Sequence, residues 1–493
     1  MKKFRLMRTI SRWCFAIIFI LTTVLAQLIS LKTVPVATGD QFLIFPSQNL
    51  GMGSVSIALE DSLLDPFINP AKGTYINGSQ MISSPVFYSF SNNDGTVRTL
   101  PLGVMLSSSK WFAGLFVAIQ QLEVINPNNF RFGLSRPRLL SDNSASNIYS
   151  FGLLGKRFPH ANLSIAGSMF WASLDALDGV DLLYVRSQKI DQSGYIADYR
   201  IGLFGELNGE RSYEILFLFN ELDMTHNVTY VEWIWDIQKG SSRVTRVEKN
   251  LDHTQTWGIH TRYVQPIGKD GFRAGGILTI NRKSHPKIPN YEIMNIPRDP
   301  GNTWAYNVGV GVSMMEDMAA FGIDLIYEPI WSNTWANTDT AIETESGKII
   351  PAGGKTVEND FEFANWLIRV GLRQENNRFG LQLGLQMKSY RYWLEQENNI
   401  EESHRTQNEH WLEWVPSWGI TLKFPGFQLR YMGRTTTGTG RPGVEQQNWG
   451  WMIEDGWMVT TGADFIIAPS GPLTLEEARV TTHQITVSVP LNR

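Results

Sequence analysis

The feature that most constrains this chain is an alternation of apolar and polar residues that recurs over segments of about ten residues. It is clearest at 378–388, where odd-numbered residues are Phe, Leu or Met and even-numbered residues from 380 onward are Gly, Gln or Lys. The same alternation recurs at 304–314 and 366–373. Successive side chains of a strand point to opposite faces, and an alternating strand of this length crosses a membrane when tilted. The pattern predicts an all-β chain forming a transmembrane antiparallel β-barrel.

Composition agrees with membrane strands rather than with membrane helices. The mean hydropathy of the 493 residues is −0.16, too low for a polytopic helical membrane protein. The chain contains 43 glycines and 17 tryptophans, which favours strands with aromatic residues at membrane interfaces. Hydrophobic residues make up 43% of the chain, so disorder is not the default expectation.

The connections between predicted strands alternate between short and long. The short ones are predicted as tight hairpin turns, at Ser108–Lys110, Phe158–Asn162, Leu207–Glu210, Ile267–Gly271, Glu316–Met318, Glu375–Arg378 and Pro425–Gly426. The long polar stretches between them are predicted as loops, at about 122–145, 174–194, 222–253, 283–303, 329–363, 394–409 and 435–456. Short turns at one end and long loops at the other are typical of outer-membrane barrels.

The number of strands follows from these hairpins. Seven hairpins supply fourteen strands, and three further candidates lie at 80–90, 457–467 and 481–491. Because single-chain bacterial barrels have an even number of strands, one of these assignments is wrong or lies off the wall. We expect about 14 strands, with 16 as the alternative.

Residues 1–26 have the pattern of a cleaved secretory signal peptide, with a basic start and a short apolar core. Removing their five basic residues changes the formal net charge from −4 to −9. An acidic exported chain argues against nucleic-acid binding. The single cysteine, Cys14, lies inside this segment, so the mature protein is expected to have no disulfide.

The stretch from Asn49 to Tyr75 organises the start of the predicted mature chain. It opens with Gly51 and Gly53, which permit a tight backbone path beside small residues. An acidic group follows, and two proline dipeptides mark turns. These positions are Glu60, Asp61, Asp65 with Pro66, and Asn69 with Pro70.

This Gly-Met-Gly, small-residue, acidic and Asn-Pro-Ala series, within residues 41–75, resembles the start of FadL-like and PorV-like outer-membrane barrels. In those families the segment enters the lumen as a plug or hatch. The resemblance implies three parts: a signal peptide at 1–26, a plug or hatch segment at 27–79, and the barrel at 80–493. It assigns Gly51, Gly53, Glu60, Asp61, Asp65, Asn69 and Pro70 to the plug.

Basic residues recur on the strand faces opposite the apolar stripes, where they are predicted to point into the lumen. They are Arg262, Arg369, Arg373, Lys388, Lys423 and Arg430. Asp324, Glu328 and Asp464 share that face, so the surplus is basic but not uniform. We expect the plug carboxylates to be held by some of these basic side chains, since charge-assisted hydrogen bonds are strong in a partly dry lumen. The alternative is that the basic groups only solvate a wide pore.

No motif for catalysis or cofactor binding is found. The chain has no Gly-x-Ser-x-Gly elbow, no His-Glu-x-x-His pair and no phosphate-binding loop, and its eight histidines are scattered. We therefore expect no enzymatic activity, no cofactor and no metal site.

Two functions are compatible with these features. The resemblance to FadL-like barrels implies a channel that takes hydrophobic small molecules across the outer membrane. The resemblance to PorV-like barrels implies instead a secretion or surface-attachment component that binds exported protein cargo. The expected partners are outer-membrane lipid and either a hydrophobic ligand or a protein cargo, with no nucleic acid.

Overall fold

The structure is a computed structural model that describes residues 28–76, 78–91, 95–123, 144–180, 189–207, 211–236, 240–268, 271–285, 301–442, 453–454, 457–458 and 475–491. The predicted signal peptide lies outside the described residues. In the part that is described, no helix is both long enough and apolar enough to cross a membrane.

Almost all of the described chain beyond residue 79 is β-strand. In chain order the strands are β1 (Gln80–Ser83), β2 (Val86–Phe90), β3 (Thr96–Ser107), β4 (Trp111–Glu123), β5 (Ser144–Phe158), β6 (Leu163–Leu174), β7 (Lys189–Leu207), β8 (Arg211–Asp236), β9 (Gly240–Ile267), β10 (Phe272–Ser284), β11 (Gly301–Glu316), β12 (Ala319–Asn337), β13 (Ile342–Glu343), β14 (Ile349–Ile350), β15 (Lys355–Glu375), β16 (Phe379–Asn398), β17 (Ser403–Phe424), β18 (Phe427–Pro442), β19 (Ile453–Glu454), β20 (Trp457–Met458) and β21 (Leu475–Pro490).

The main sheet closes on itself. It contains seventeen of the described strands, all but the short pairs β13–β14 and β19–β20. Strands β1 and β2 share one position in the wall, because each pairs with β21 on one side and with β3 on the other. Ser84 and Pro85 separate them, and a proline has no N–H for the ladder. The described wall therefore has sixteen strand positions, all joined in antiparallel fashion.

Sixteen is the higher of the two expected strand numbers, and it removes the parity conflict. The candidates at 80–90 and 481–491 are wall strands that pair with each other. Of the candidate at 457–467, only Trp457–Met458 is described, and it pairs with Ile453–Glu454 outside the main sheet. The rest of that candidate lies outside the described residues.

The predicted alternation of faces is confirmed. On β16, Leu381, Leu383 and Leu385 are exposed, whereas Gln382 and Gln386 are buried. The segments at 304–314 on β11 and 366–373 on β15 show the same apolar exposed face. Large apolar side chains are also exposed on most other wall strands, so the barrel carries an apolar outer belt. The opposite faces point into the lumen.

The two ends of the barrel differ. Consecutive strands pair across all seven predicted short turns, at what we call the turn end. The opposite end, the loop end, contains the longer connections. The predicted loops at 122–145, 174–194, 283–303 and 435–456 lie partly outside the described residues.

Three predicted loops are largely strand instead. The stretch 222–253 belongs to β8 and β9, which pair from Ser212↔Val264 to Asp236↔Gly240. The stretch 394–409 continues β16 and β17, and much of 329–363 continues β12 and β15. These predictions were wrong because the apolar alternation marks only the outer belt. Beyond the belt, polar strands still satisfy their backbone groups by pairing with each other.

Helical turns are few in the described residues and lie mainly before the first strand. They are an α-helix at Asp65–Ile68 and 3-10 helices at Leu50–Met52, Pro70–Tyr75 and Pro159–Ala161. Pro66 and Pro70 each stand in the first turn of a helix, where a proline's missing N–H has no helical acceptor in any case. Both proline dipeptides therefore start helices.

Candidate functional site

The chain from Leu28 to Ser79, which we call the lumen segment, runs along the inside of the barrel in all its described residues, 28–76 and 78–79. Near the loop end, Ile29 packs in a cluster with Phe361. Nearer the turn end, Phe67 packs in a cluster with Phe112 and Phe204. Its two 3-10 helices contact β4–β7 and β15–β18, on the face opposite the outer belt. The lumen of this barrel is therefore occupied by its own N-terminal chain.

Glycines on the inner face of the wall bring the lumen segment close. A Cβ atom on Gly275 of β10 would lie 2.7 Å from the backbone oxygen of Ile57, and one on Gly311 of β11 would lie 2.7 Å from Ile57 Cβ. A side chain at either position would push the segment away from the wall. The glycines on the inner faces of these strands therefore provide room for the segment.

Gly51 and Gly53 lie in a turn that fits against β16 and β17. Gly53 has a φ of +66°, a left-handed conformation that favours glycine. Its N–H donates to Ser417 Oγ at 2.9 Å, and that hydroxyl donates to the Gly51 oxygen at 3.3 Å. Gln382 Nε2 donates to the Gln48 oxygen at 2.9 Å. These bonds attach the turn to two neighbouring wall strands.

Asp61 and Glu60 have partners within the lumen segment itself. Buried Asp61 accepts from Ser47 Oγ at 2.6 Å and from the backbone N–H of Asn49 at 2.9 Å. Glu60 accepts from the Tyr75 hydroxyl at 3.1 Å. Asp61 therefore organises the fold of the segment rather than its attachment to the wall.

Asp65 belongs to a buried cluster of four charges. It pairs with Lys72 of the same segment and lies 3.9 Å from Arg262 of β9. Glu214 of β8 lies 3.2 Å from Arg262 and 3.6 Å from Lys72. Two carboxylates and two cations balance, which a buried site requires because an unpaired charge there is very costly.

Asn69 joins the same cluster through its side chain. Its Oδ1 accepts from the Ala71 N–H at 3.1 Å, which caps the 3-10 helix that Pro70 begins. Its Nδ2 donates to Glu214 Oε2 at 2.9 Å. A cavity of about 30 Å³ lies beside this cluster, large enough for roughly one water molecule.

A second contact involves Asp324 of β12 and Arg369 of β15. Asp324 Oδ2 accepts from the Ser56 N–H at 2.8 Å, so a wall carboxylate holds the backbone of the segment. Arg369 lies 3.9 Å from Asp324 and donates to Ser56 Oγ at 3.1 Å. Arg262 of β9 also holds the backbone of the segment, since its Nε donates to the Ile57 oxygen at 2.7 Å.

Of the other four predicted lumen-facing basic residues, three make polar contacts with wall residues. Arg373 lies 3.3 Å from Glu375, and Lys423 lies 2.5 Å from the same carboxylate near the turn end. Arg430 donates to Gln428 at 2.8 Å. Lys388 stands opposite Glu413 in the β16–β17 register.

The predicted pairing of plug carboxylates with wall cations is therefore limited to one carboxylate of the acidic group. Among the described residues, Asp65 is the one member of the acidic group within ion-pair distance of a predicted lumen-facing cation, Arg262. Sequence reasoning missed Lys72 and Glu214, which complete the cluster. Glu214 carried a usable signal, because it lies on the inner face of β8 between apolar outward residues.

Aromatic side chains fill the lumen beside β4, β5 and β6. Phe45 of the lumen segment stacks on Phe67 with 4.3 Å between ring centroids. Phe67 lies edge-on to Phe116 at 4.7 Å, and Phe151 lies within 5.2 Å of Phe45. Phe170 extends the cluster. This part of the lumen is apolar and aromatic, and a water-filled channel would have a polar lining there.

Burial changes the pKa of acidic groups on the lumen segment. Burial raises the pKa of Asp65 to about 6, although Lys72 and Arg262 oppose the change. Burial would also raise the pKa of Asp40, but Arg434 and a hydrogen bond from Thr482 hold it below its usual value. Burial and then the neighbouring Glu60 raise the pKa of the Tyr75 hydroxyl well above its usual value.

In the described part of the chain, no three His, Cys, Asp or Glu side chains are grouped to bind a metal ion.

Comparison with known proteins shows low similarity. No protein-family model matches the sequence, and no curated protein matches it. A solved structure of a Pseudomonas aeruginosa FadL homologue is similar with a TM-score of 0.44 and 8% identity, over 92% of this chain and 100% of that one. The Pseudomonas putida toluene transporter TodX gives a TM-score of 0.40 and 9% identity, over 95% of this chain and 100% of that one. The Ralstonia pickettii toluene transporter TbuX gives 0.38 and 9%, over 91% and 99%. Likeness at this level assigns neither a family nor a ligand to the chain.

Proposed function

We propose that this protein is an outer-membrane channel for hydrophobic small molecules, and that the lumen segment is the hatch that closes it. The observation that carries the proposal is a closed β-barrel with an apolar outer belt whose lumen is filled by its own N-terminal chain. A soluble barrel would bury such a belt, whereas a membrane barrel places it in lipid.

The outer surface supports a membrane location. Leu383 on β16 is 58% exposed, and Val310 on β11 is 59% exposed. Burying such side chains in lipid is favourable by roughly 25 cal/mol per Å² of apolar surface removed from water. Closure of the sheet leaves no unpaired edge around the belt, as the hydrocarbon interior requires.

The inner surface supports apolar rather than polar solutes. The cluster of Phe45, Phe67, Phe116, Phe151 and Phe170 lies inside the barrel, between the lumen segment and the wall. If the segment shifts, the wall aromatics Phe116, Phe151 and Phe170 lose partners and gain a surface suited to an apolar molecule. A general porin has instead a polar, hydrated lumen.

The contacts of the segment are suited to a hatch that moves as a unit. Its own bonds, such as those of Asp61 and the Asp65–Lys72 pair, keep its shape. Its bonds to the wall form a separate set, which includes those at Ser417, Asp324 and Arg262. Breaking the second set leaves the first intact.

The proposal is tested by comparing an apolar and a charged solute. Cells that express the protein should take up the apolar dye phenylnaphthylamine faster than cells carrying an empty vector. Vesicles containing the purified protein should swell no faster in gluconate than protein-free vesicles, because the hatch excludes hydrated solutes. Rapid entry of gluconate would indicate a general porin, and no gain in dye uptake would contradict the channel function.

The alternative of a PorV-like component that binds exported protein stays a prediction, as does the absence of enzymatic activity. The long β8–β9 hairpin at the loop end is compatible with either role. Recovery of a secreted protein bound to the purified barrel would favour the PorV-like function.

A further inference from the structure

Strands β17 and β18 separate near the loop end. Their ladder runs from Phe424↔Phe427 to Trp414↔Thr437. Beyond that point β17 continues to Ser403 paired with β16, while Thr439–Pro442 of β18 pair with β21. Gly438 still lies against β17, since a Cβ there would be 2.1 Å from the Leu412 oxygen. Among the described residues, the two strands thus leave an outer seam between 403–411 and 439–442.

The separation is built into β18. Its pairing with β21 shifts register between Thr436 and Thr439, which marks a β-bulge. Gly438 within the bulge has a φ of +82°, a left-handed conformation that favours glycine. The bulge turns the end of β18 away from the line of β17.

The lumen segment occupies the edge of β18 that β17 leaves. Val36 forms a parallel bridge with Gly440. The Ala37 N–H donates to the Gly440 oxygen at 2.8 Å, and the Gly440 N–H donates to the Pro35 oxygen at 2.9 Å. Three residues of the segment therefore stand where a neighbouring wall strand would be.

Ionic contacts fasten this part of the segment to both sides of the seam. Lys32 Nζ lies 2.5 Å from Glu413 of β17. On the other side, Arg434 Nε of β18 donates to Asp40 Oδ2 at 2.9 Å, and Thr482 of β21 donates to the same oxygen at 2.5 Å. The stretch from Lys32 to Asp40 spans the outer seam.

We propose that residues 32–40 are a releasable strap across the outer seam, and that their release opens the loop end of the lumen independently of the inner part of the segment. The strap has two ladder bonds to β18, at Gly440, whereas Phe427–Arg434 of β18 pair along a continuous run with β17. The inner part of the segment is separately held by the Asp65–Lys72–Glu214–Arg262 cluster. This inference rests on the proposed channel function and adds a two-stage opening to it.

The strap is tested first without any solute. Hydrogen exchange of the protein in lipid nanodiscs should show Ala37 and Gly440 exchanging together, faster than Gly53, whose N–H bonds to Ser417 near the turn end. Ala37→Pro removes one ladder donor and should speed exchange at Gly440 by about tenfold, the effect expected for one net hydrogen bond. Ala37→Gly keeps the N–H and is the matched control. Equal protection of Ala37, Gly440 and Gly53 would overturn the proposal.

A chemical cross-link then tests whether the strap controls the passage of solute through the barrel. The single native cysteine lies at position 14, so Lys32→Cys/Glu413→Cys can be joined by a short, reducible bifunctional thiol reagent. The tether should reduce dye uptake about tenfold, and reduction should restore it, since a linked strap cannot leave the seam. Each single cysteine variant treated with the same reagent controls for modification alone.

The outcomes separate the two proposals. If the parent takes up dye and the tether does not change that uptake, the strap proposal is contradicted, whereas the proposed channel function is not. A parent that takes up no dye overturns the channel function, and the exchange experiment then still decides whether residues 32–40 open before the inner segment.

Discussion

The guanidinium of Arg262 donates through Nε to the backbone oxygen of Ile57 at 2.7 Å, and this bond joins the barrel wall to the centre of the lumen segment. Arg262 is buried and also lies 3.2 Å from Glu214. Removing a buried cation leaves one negative charge of its cluster without a balancing cation, which costs much more than losing the attractive contact alone. Arg262 is thus one of the side chains that couple the wall to the segment.

Arg262→Met should lower the free energy of unfolding by about 3–5 kcal/mol, because Glu214 and Asp65 lose a buried cation. It should also loosen the segment and raise conductance in planar bilayers. Urea unfolding in lipid vesicles, followed by the shift of heat-modifiable gel mobility, measures the first effect. Lys423→Met, at a half-exposed pair near the turn end, should change stability by about 1 kcal/mol or less. Equal losses in the two variants would refute the role of burial.

The double variant Arg262→Met/Glu214→Gln separates pairing from packing. It removes one charge of each sign and should be less destabilised than the sum of the two single variants. Additive losses would mean that the two residues act independently.

The orientation of Arg262 could be predicted from sequence, but its partners could not. Alternation along a strand predicts which residues face the lumen, and Arg262 lies on that face of β9. The contact with Ile57 joins residues 205 positions apart, and no local pattern encodes where the segment lies against the wall. For the same reason, the sequence did not indicate that Lys72 and Glu214 belong to the cluster.

Gly275→Ala should displace the lumen segment, because the added Cβ would lie 2.7 Å from the Ile57 oxygen. Overpacking of this kind costs about 1–3 kcal/mol. Gly276→Ala is the matched control, since its Cβ would meet its nearest atom, the Gly309 oxygen, at 3.8 Å. We expect increased conductance and easier urea unfolding for the first variant and parental values for the second. Similar behaviour of both would show that Gly275 does not seat the segment.

Leu383→Arg should destabilise the folded barrel in vesicles by about 2–4 kcal/mol, because Leu383 is an exposed residue of the outer belt and a charge there faces the lipid interior. Met318→Arg, in the turn between β11 and β12, should cost at most about 1 kcal/mol, as expected near an interface. Urea titrations of both variants in the same lipid provide the comparison. A larger loss at Met318 would place the membrane belt elsewhere on the barrel.

Sequence alone would suggest Gln382→Arg as a tolerated control for this experiment, since Gln382 faces the lumen. The surroundings of Gln382 argue against that control. Gln382 is buried and donates to the Gln48 oxygen at 2.9 Å, so an arginine there would meet the lumen segment. The alternation predicted the face of the strand correctly, and the occupied lumen changes what that face tolerates.

The extent of the strands was harder to predict than their faces. The apolar stripe ends where the lipid belt ends, and the polar continuation of β8 and β9 resembles a loop in composition. Those residues nevertheless pair as far as Asp236↔Gly240. Backbone pairing between two neighbouring polar strands leaves no stripe in the sequence, so 222–253 was predicted as a loop.

The titration of Asp65 should make stability depend on pH in a direction opposite to that of most buried ion pairs. Burial raises its pKa in the folded protein from 3.8 to about 6. A carboxyl with a raised pKa binds its proton more tightly in the folded state. Its stabilising contribution is therefore complete below pH 3.8 and is lost as the pH rises through 6, by about 3 kcal/mol in total.

Asp65→Asn removes this titration while keeping a side chain of similar shape. The free energy of unfolding of the variant minus that of the parent should become more positive between pH 4 and pH 7, because only the parent must hold an ionised carboxylate in a buried site. Urea unfolding in vesicles at closely spaced pH values measures this difference. Glu60→Gln, which alters the partner of the Tyr75 hydroxyl outside the four-charge cluster, is the matched control and should follow the parent over the interval around pH 6. A parent that gains stability relative to Asp65→Asn as the pH rises would show that Lys72 and Arg262 outweigh the burial of Asp65.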